Sequence, residues 1–210
     1  MVQRVNEEAV RFAAAGSSLE GRIALPPGAR AGAVVCHPHP QYGGDMENSV
    51  VLATTQALQE TGIATLRFNF RGVGGSEGRY SGGFAEAADA RAAIDCLRTR
   101  LPQGILSLGG YSFGAIVALL AGHDDPAIDR LFAIALPATM FETGPLEASI
   151  KPKLFVLGDR DQYCPYPAME ALVARLHGDN TLVRLEGADH FLFGFEDRVG
   201  EAVARFIAPS

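Results

Sequence analysis

The pentapeptide Gly110-Tyr111-Ser112-Phe113-Gly114 is the segment whose residue types and spacing point most directly to nucleophilic chemistry. In a G-x-S-x-G pattern, the serine can stand on a sharp turn between a strand and a helix, where larger side chains two residues away would collide. The apolar runs ILSLGGY before the turn and FGAIVALLA after it predict that strand and helix. The helix would direct its amides and dipole at a developing oxyanion. The context favours a nucleophile over a glycine-rich turn with a solvent-facing serine.

A serine hydroxyl needs a base that accepts its proton, and that base needs a carboxylate to orient it. When the serine stands on such a turn, the acid follows it in the chain and the histidine comes last. His177 lies in HGDN at the end of a predicted helix, a context typical of a solvent-facing helix end. His190 lies in GADHFLF, at the edge where ligands bind to open α/β sheets. We therefore predict His190 as the base; the alternative is a loop histidine that caps the last helix.

Two aspartates compete for the role of the orienting carboxylate. Both follow the predicted strand 154–157, in the segment GDRDQYCP. Asp159 comes directly after a turn glycine and is suited to hold that turn through its side chain. Asp161 lies further out and is favoured, with Asp159 as the main alternative. Asp189 is adjacent to His190, and neighbouring loop residues seldom place a carboxylate against an imidazole.

Short apolar runs alternate with helical patterns from one end of the sequence to the other. The strands are predicted at 10–14, 19–25, 31–36, 63–70, 105–110, 131–136, 154–157 and 182–185, and the helices at 48–60, 84–97, 113–121, 167–176 and 199–206. The first two strands read as an antiparallel hairpin. The rest predict an α/β fold, a mostly parallel central sheet with helices on both faces, in a single domain over 1–210. The segment 137–152 has room only for a short excursion, so no large lid domain is expected.

Composition narrows the classes of partner. The chain has 210 residues, a net charge of −6 and no apolar run near the ~20 residues of a membrane span, so neither nucleic acid nor a membrane is expected as a partner. The three cysteines are too few and too widely spaced for a disulfide framework. With no signal-like start, these features predict a cytoplasmic monomer or homodimer that acts on a small molecule.

Several segments together resemble the α/β-hydrolase superfamily, and more narrowly its small, lid-poor bacterial members. They are VVCHPHPQYGGDMEN from Val34, RFNFRGVGGSEG from Arg67, GYSFGA from Gly110, and the later GDRDQYCP and GADHF. The resemblance implies hydrolysis of carboxylic esters or related acyl compounds. Its acid pattern, Gly-x-x-Asp, matches this sequence at Asp161. It names no substrate, because this fold hosts many chemistries.

The same resemblance implies where an oxyanion would be bound. Members of the superfamily carry a His-Gly-x turn whose third residue donates a backbone N–H, whereas this chain has His37-Pro38-His39-Pro40. Proline has no N–H, so we expect the amides of His39 and Phe113 to form the oxyanion hole. The amide of Tyr42 is a second candidate for the first donor.

An H-x-H pair can also chelate a metal. The only nearby third ligand for His37 and His39 is Asp45, so we expect no metal. The glycine-rich segment 71–78 lacks the GK[ST] and G-x-G-x-x-G patterns of phosphate-binding loops, which favours a structural use and no cofactor.

Two further interpretations concern residues near the expected site. Phe191, Phe193 and Phe195 are interpreted as core side chains rather than as a substrate pocket. Cys164 is expected to be reachable by thiol reagents. The sequence therefore predicts a serine hydrolase of the esterase or thioesterase kind that acts through an acyl-enzyme; the alternatives are a peptidase or amidase with the same triad, and a non-catalytic binding module.

Overall fold

The computed structural model describes residues 5–140 and 142–208. The predicted domain, 1–210, extends over 1–4, 141 and 209–210, which lie outside the described residues. The strands are β1 (Glu8–Ala14), β2 (Ser17–Ala24), β3 (Ala31–Cys36), β4 (Ala64–Phe68), β5 (Ile105–Tyr111), β6 (Arg130–Ile134), β7 (Lys153–Gly158) and β8 (Asn180–Leu185). The helices are α1 (Ser49–Glu60), α2 (Phe84–Arg100), α3 (Phe113–Gly122), α4 (Gly144–Glu147), α5 (Tyr166–Val173) and α6 (Glu196–Ile207).

All eight strands form one sheet in the order β1-β2-β4-β3-β5-β6-β7-β8. The first two form the predicted antiparallel hairpin, and β2 pairs antiparallel to β4; every later pairing is parallel. In β3 all six residues are buried, as expected of a central strand covered on both faces. The fold is therefore the predicted α/β arrangement with a mostly parallel sheet.

Helices cover both faces of the sheet. Successive side chains of a strand point to opposite faces, so Val34 joins the core under α2, α3 and α5, while Val35 joins the core under α1 and α6. The helix α1 begins as predicted at Asn48, whose side chain accepts a hydrogen bond from the amide of Val50. The sheet is therefore packed against helices on both faces.

The described residues of the segment 137–152, which are 137–140 and 142–152, form no large lid domain. They contain a 3-10 turn (Ala138–Met140) and the four-residue helix α4. The strand β6 ends two residues earlier than predicted because the backbone turns at Ala135, which has a φ of 46°. Among the described residues, no helix combines the length and apolarity that a membrane span requires. The loops that carry His39, Ser112, Asp161 and His190 follow the carboxyl ends of β3, β5, β7 and β8.

Candidate active site

Ser112 occupies the sharp turn between β5 and α3. Its φ of 55° and ψ of −116° are unfavourable for a residue with a side chain, a strain that is common at functional sites. A Cβ on Gly110 would lie 2.6 Å from the Cys36 carbonyl oxygen, and one on Gly114 would lie 2.3 Å from the same atom. Both glycines are therefore required because β3 passes directly against the turn.

The structure brings Ser112, His190 and Asp161 into one hydrogen-bonded chain. The Ser112 Oγ lies 2.9 Å from the His190 Nε2, and the His190 Nδ1 lies 2.8 Å from the Asp161 Oδ2. An ionised carboxylate can only accept, so Nδ1 carries the proton and Nε2 is free to accept from the serine hydroxyl. His190 and Asp161 are nearly buried, at 6% and 5% exposure, so solvent competes little for these bonds.

The two candidate carboxylates have different partners. The Oδ1 of Asp161 accepts from the amides of Tyr163 and Cys164, at 2.8 and 3.0 Å, which fixes its Oδ2 toward His190. Asp159 instead forms an ion pair with Arg184 at 2.8 Å and accepts from the amide of Gly187. The hydrogen bonds from Arg184 hold the pKa of Asp159 below its usual value. Asp159 thus holds the loop after β8 and does not contact the imidazole.

The loop that carries His190 is held from two directions. The Tyr111 hydroxyl donates a hydrogen bond of 3.0 Å to the His190 carbonyl oxygen. Leu192 is fully buried although its φ is 58°, a conformation that costs free energy for a residue with a branched side chain. Burying Leu192 anchors the loop and turns its neighbours outward. Phe191 and Phe193 are 46% and 76% exposed, so their interpretation as core was wrong.

The predictions for Phe195 and Cys164 had opposite outcomes. Phe195 is partly buried and packs against the core under α1 and α6, as predicted for this one of the three phenylalanines. Cys164 is fully buried, so the prediction of its accessibility to thiol reagents was wrong. Burial also raises the pKa of its thiol, which lowers its reactivity further.

The two residues expected to donate to an oxyanion lie side by side. The rings of His39 and Phe113 are 4.9 Å apart, and Phe113 is the first residue of α3. Neither backbone N–H has a hydrogen-bond acceptor within 5–140 and 142–208. The amide of Tyr42, the second candidate, already donates to the His39 carbonyl oxygen at 3.1 Å. The free amides are therefore those of His39 and Phe113.

His37 orients the loop that carries His39, a role that the sequence did not reveal. Its Nε2 accepts from the Phe70 amide at 3.1 Å, so its Nδ1 carries the proton and donates to the Pro38 carbonyl oxygen at 2.7 Å. Burial lowers the pKa of His37 to about 4, which keeps the ring neutral. The Pro38 carbonyl and the His39 N–H belong to one planar peptide, so this bond also sets the direction of that N–H. Both ring nitrogens of His37 are thus occupied within the protein.

The glycine-rich segment after β4 folds against α2. Arg71 forms an ion pair with the buried Asp89 at 2.6 Å, and its own amide donates to the same carboxylate. Gly72 has a φ of 76°, which explains a glycine at this position. The segment is held by charged contacts within the protein, in agreement with its structural interpretation.

Comparison with known proteins places these features in a family. The family model Hydrolase_4, described as serine aminopeptidase, S33, matches residues 34–151, which include His39, Ser112 and Phe113 but not Asp161 or His190. The Rickettsia prowazekii protein RP471 is 36% identical over 183 residues, 82% of this chain and 77% of that protein.

Solved structures extend the likeness over the chain. An alpha-beta serine hydrolase homologue from Coxiella burnetii is 32% identical, covering 99% of this chain and 100% of its own, with a TM-score of 0.87. XC6422 from Xanthomonas campestris, described as a serine hydrolase without a lid, is 31% identical, covering 100% of this chain and 99% of its own, with a TM-score of 0.85. With a family model that matches more than half of its residues, this chain belongs to the Hydrolase_4 family and has the fold of the alpha/beta serine hydrolases.

Proposed function

We propose that this protein hydrolyses carboxylic esters or related acyl compounds through an acyl-enzyme on Ser112. The proposal rests above all on the hydrogen-bonded chain from the Ser112 Oγ through His190 to Asp161, with distances of 2.9 and 2.8 Å. This order of nucleophile, base and orienting carboxylate is what acyl transfer by a serine requires. A binding module would gain nothing from a strained serine that faces a buried imidazole.

The residues act in a defined sequence. The Ser112 hydroxyl attacks the substrate carbonyl while the His190 Nε2 takes its proton, and Asp161 stabilises the resulting imidazolium. The carbonyl oxygen becomes negatively charged and accepts hydrogen bonds from the amides of His39 and Phe113. His190 then gives the proton to the leaving group. Water, activated by the same imidazole, releases the acyl group from Ser112.

The test is hydrolysis of short-chain p-nitrophenyl esters by purified protein and by Ser112→Ala. Removal of a triad serine costs on the order of a million-fold in kcat, so the variant should show only background hydrolysis. Circular dichroism controls for folding. Equal turnover by a folded Ser112→Ala variant would overturn the proposal.

Cleavage of peptide bonds is the second candidate, because the matched family is described as a serine aminopeptidase. The same serine, histidine and aspartate could carry out that reaction. Aminoacyl p-nitroanilides, compared with p-nitrophenyl esters of the same acyl groups, separate the two candidates. We expect kcat/KM to be higher for the esters; faster cleavage of the anilides would favour the peptidase.

A further inference from the structure

Tyr80, two residues after the glycine-rich segment 71–78, reaches the loop that carries His39. Its hydroxyl oxygen lies 3.0 Å from the His39 Nε2, and its ring lies 5.7 Å from the ring of Phe113. It therefore touches both residues whose amides are free to bind an oxyanion. No step of the proposed reaction uses this hydroxyl.

The hydrogen bonds around His39 determine which atom donates in its contact with Tyr80, the His39 Nε2 or the Tyr80 hydroxyl oxygen. The Gln41 amide donates to the His39 Nδ1 at 3.2 Å, so that nitrogen carries no proton. Burial lowers the pKa of His39, which keeps the ring neutral and its one proton on Nε2. That proton is donated to the Tyr80 oxygen. The hydroxyl hydrogen of Tyr80 then has no acceptor in the part of the chain that the structure describes, and it is available to a ligand.

The backbone next to Tyr80 is held firmly. Glu86 is fully buried, and its carboxylate accepts from the amide and hydroxyl of Ser81, at 2.8 and 2.7 Å, and from the amide of Gly83 at 2.7 Å. Because this backbone is fixed before the substrate arrives, the Tyr80 hydroxyl can bind the substrate with a smaller loss of conformational freedom.

The chemistry of the triad indicates which part of the substrate meets Tyr80. His190 must give its proton to the leaving oxygen, so the alcohol part lies on the side of Tyr163 and Phe191, whose rings are 4.5 and 6.0 Å from the imidazole. The acyl part is the substituent that His190 does not approach, and it extends toward Tyr80 and His39, whose rings pack against Phe113, the residue that follows Ser112.

We propose that Tyr80 is a specificity-determining residue whose hydroxyl donates a hydrogen bond to an oxygen in the acyl part of the substrate, with His39 as its positioning residue. The substrate class is esters whose acyl group carries an ether, hydroxyl or oxo oxygen near the carbonyl. This inference rests on the acyl hydrolysis proposed above.

The test compares pairs of esters that differ by one oxygen in place of one methylene. p-Nitrophenyl methoxyacetate and p-nitrophenyl butyrate differ in the acyl part; 2-methoxyethyl acetate and butyl acetate differ in the alcohol part. For each pair, kcat/KM for the ester with the extra oxygen is divided by kcat/KM for the ester with the methylene, in the wild type and in Tyr80→Phe. Comparing the ratios between proteins cancels the intrinsic reactivity of each ester.

We expect Tyr80→Phe to lower the ratio for the acyl pair roughly three- to tenfold, the usual effect of one neutral hydrogen bond, and to leave the ratio for the alcohol pair unchanged. Tyr42→Phe is the matched control: it removes the hydroxyl of a tyrosine whose ring is 4.8 Å from His39, and it should move neither ratio. His39→Leu should lower the acyl ratio as Tyr80→Phe does. His39→Gln should restore part of it, because an amide nitrogen can replace Nε2 as the donor to Tyr80.

The outcomes separate this inference from the proposed function. If the wild type hydrolyses none of the esters, the proposed function fails. If it hydrolyses them and Tyr80→Phe leaves the acyl ratio unchanged, or shifts only the alcohol ratio, the assignment of Tyr80 is overturned while the function stands. A lowered acyl ratio with no rescue by His39→Gln over His39→Leu would overturn the role of His39.

Discussion

Two groups of aromatic side chains flank Ser112, and they are built differently. The His39 group consists of His39, Tyr42, Tyr80 and Phe113. The His39 ring lies 4.8 to 5.1 Å from each of the other three rings and is hydrogen-bonded to Tyr80. Phe113 is nearly buried at 7% exposure, whereas Tyr42 lies at the solvent edge. Contacts within the group therefore fix its shape.

The His190 group consists of Tyr163, His190, Phe191 and Phe193. Among its side chains, that of His190 is hydrogen-bonded to Ser112 and Asp161. Phe191 and Phe193 stack on each other at 6.1 Å, with an angle of 18° between their planes, and both face solvent. A leaving group can lie against these rings in more than one orientation. If the protein hydrolyses esters as proposed, we expect selectivity from the His39 group and tolerance from the His190 group.

The largest expected effect tests the assignment of the acid on the His190 side. Asp161→Asn should lower kcat about ten-thousand-fold, because an amide favours the wrong tautomer of His190. Asp159→Asn is the matched control and should retain most activity, since it removes the ion pair with Arg184 but keeps an amide oxygen that can accept from Gly187. Ester hydrolysis by both variants provides the measurement. A larger loss in Asp159→Asn would reverse the assignment.

In the His39 group, His39→Pro tests whether the His39 N–H donates to the oxyanion. The φ of His39 is −57°, which proline can adopt, and the variant removes an N–H that has no acceptor among the described residues. His39→Ala is the control, because it loses the same imidazole but keeps the N–H. We expect kcat to be about a hundred- to a thousandfold lower for His39→Pro than for His39→Ala. Thermal melting checks that both are folded; equal kcat values would move the donor elsewhere.

The free energy of unfolding should also depend on pH through His37, which orients the loop that carries His39. Its pKa is about 4 in the folded protein, below the ordinary value of 6.5, so the unfolded chain binds more protons between these values. The stabilisation is complete above pH 6.5 and is lost as the pH falls to 4, by about 3 kcal/mol. Urea unfolding of the wild type and of His37→Gln, at pH 7 and pH 4, measures this change. An equal loss of stability in both proteins would contradict it.

The smallest effect is expected from Phe193, the most exposed ring of the His190 group. Phe193→Ala should lower kcat/KM about threefold for phenyl acetate, because an aryl leaving group loses a stacking partner. Methyl acetate is the control and should be affected less. An equal effect on both esters would show that the ring does not contact the leaving group.

The sequence revealed those parts of the site that local constraints determine. The glycines around Ser112 and the short apolar runs on either side of it are visible as a pattern, and they predicted the turn that the structure contains. The same pattern reasoning proposed Asp161 and His190, which the structure brings to the serine.

Contacts between distant segments left no such pattern. Tyr80 meets His39 across 41 residues of chain, and His37 meets the Phe70 amide across 33. Composition also could not show the direction of Phe191 and Phe193, because the residue between them, Leu192, is buried in a left-handed conformation and its neighbours point outward. The spacing of residue types carries no information on any of these.

Ser112 is the proposed nucleophile, the residue that would carry the acyl group. The most direct test of this role is mass spectrometry of the protein after reaction with a fluorophosphonate, which bonds covalently to an activated serine. We predict one adduct in the wild type, located on the peptide that contains Ser112, and none in Ser112→Ala. An adduct on another residue, or equal labelling of Ser112→Ala, would contradict the account.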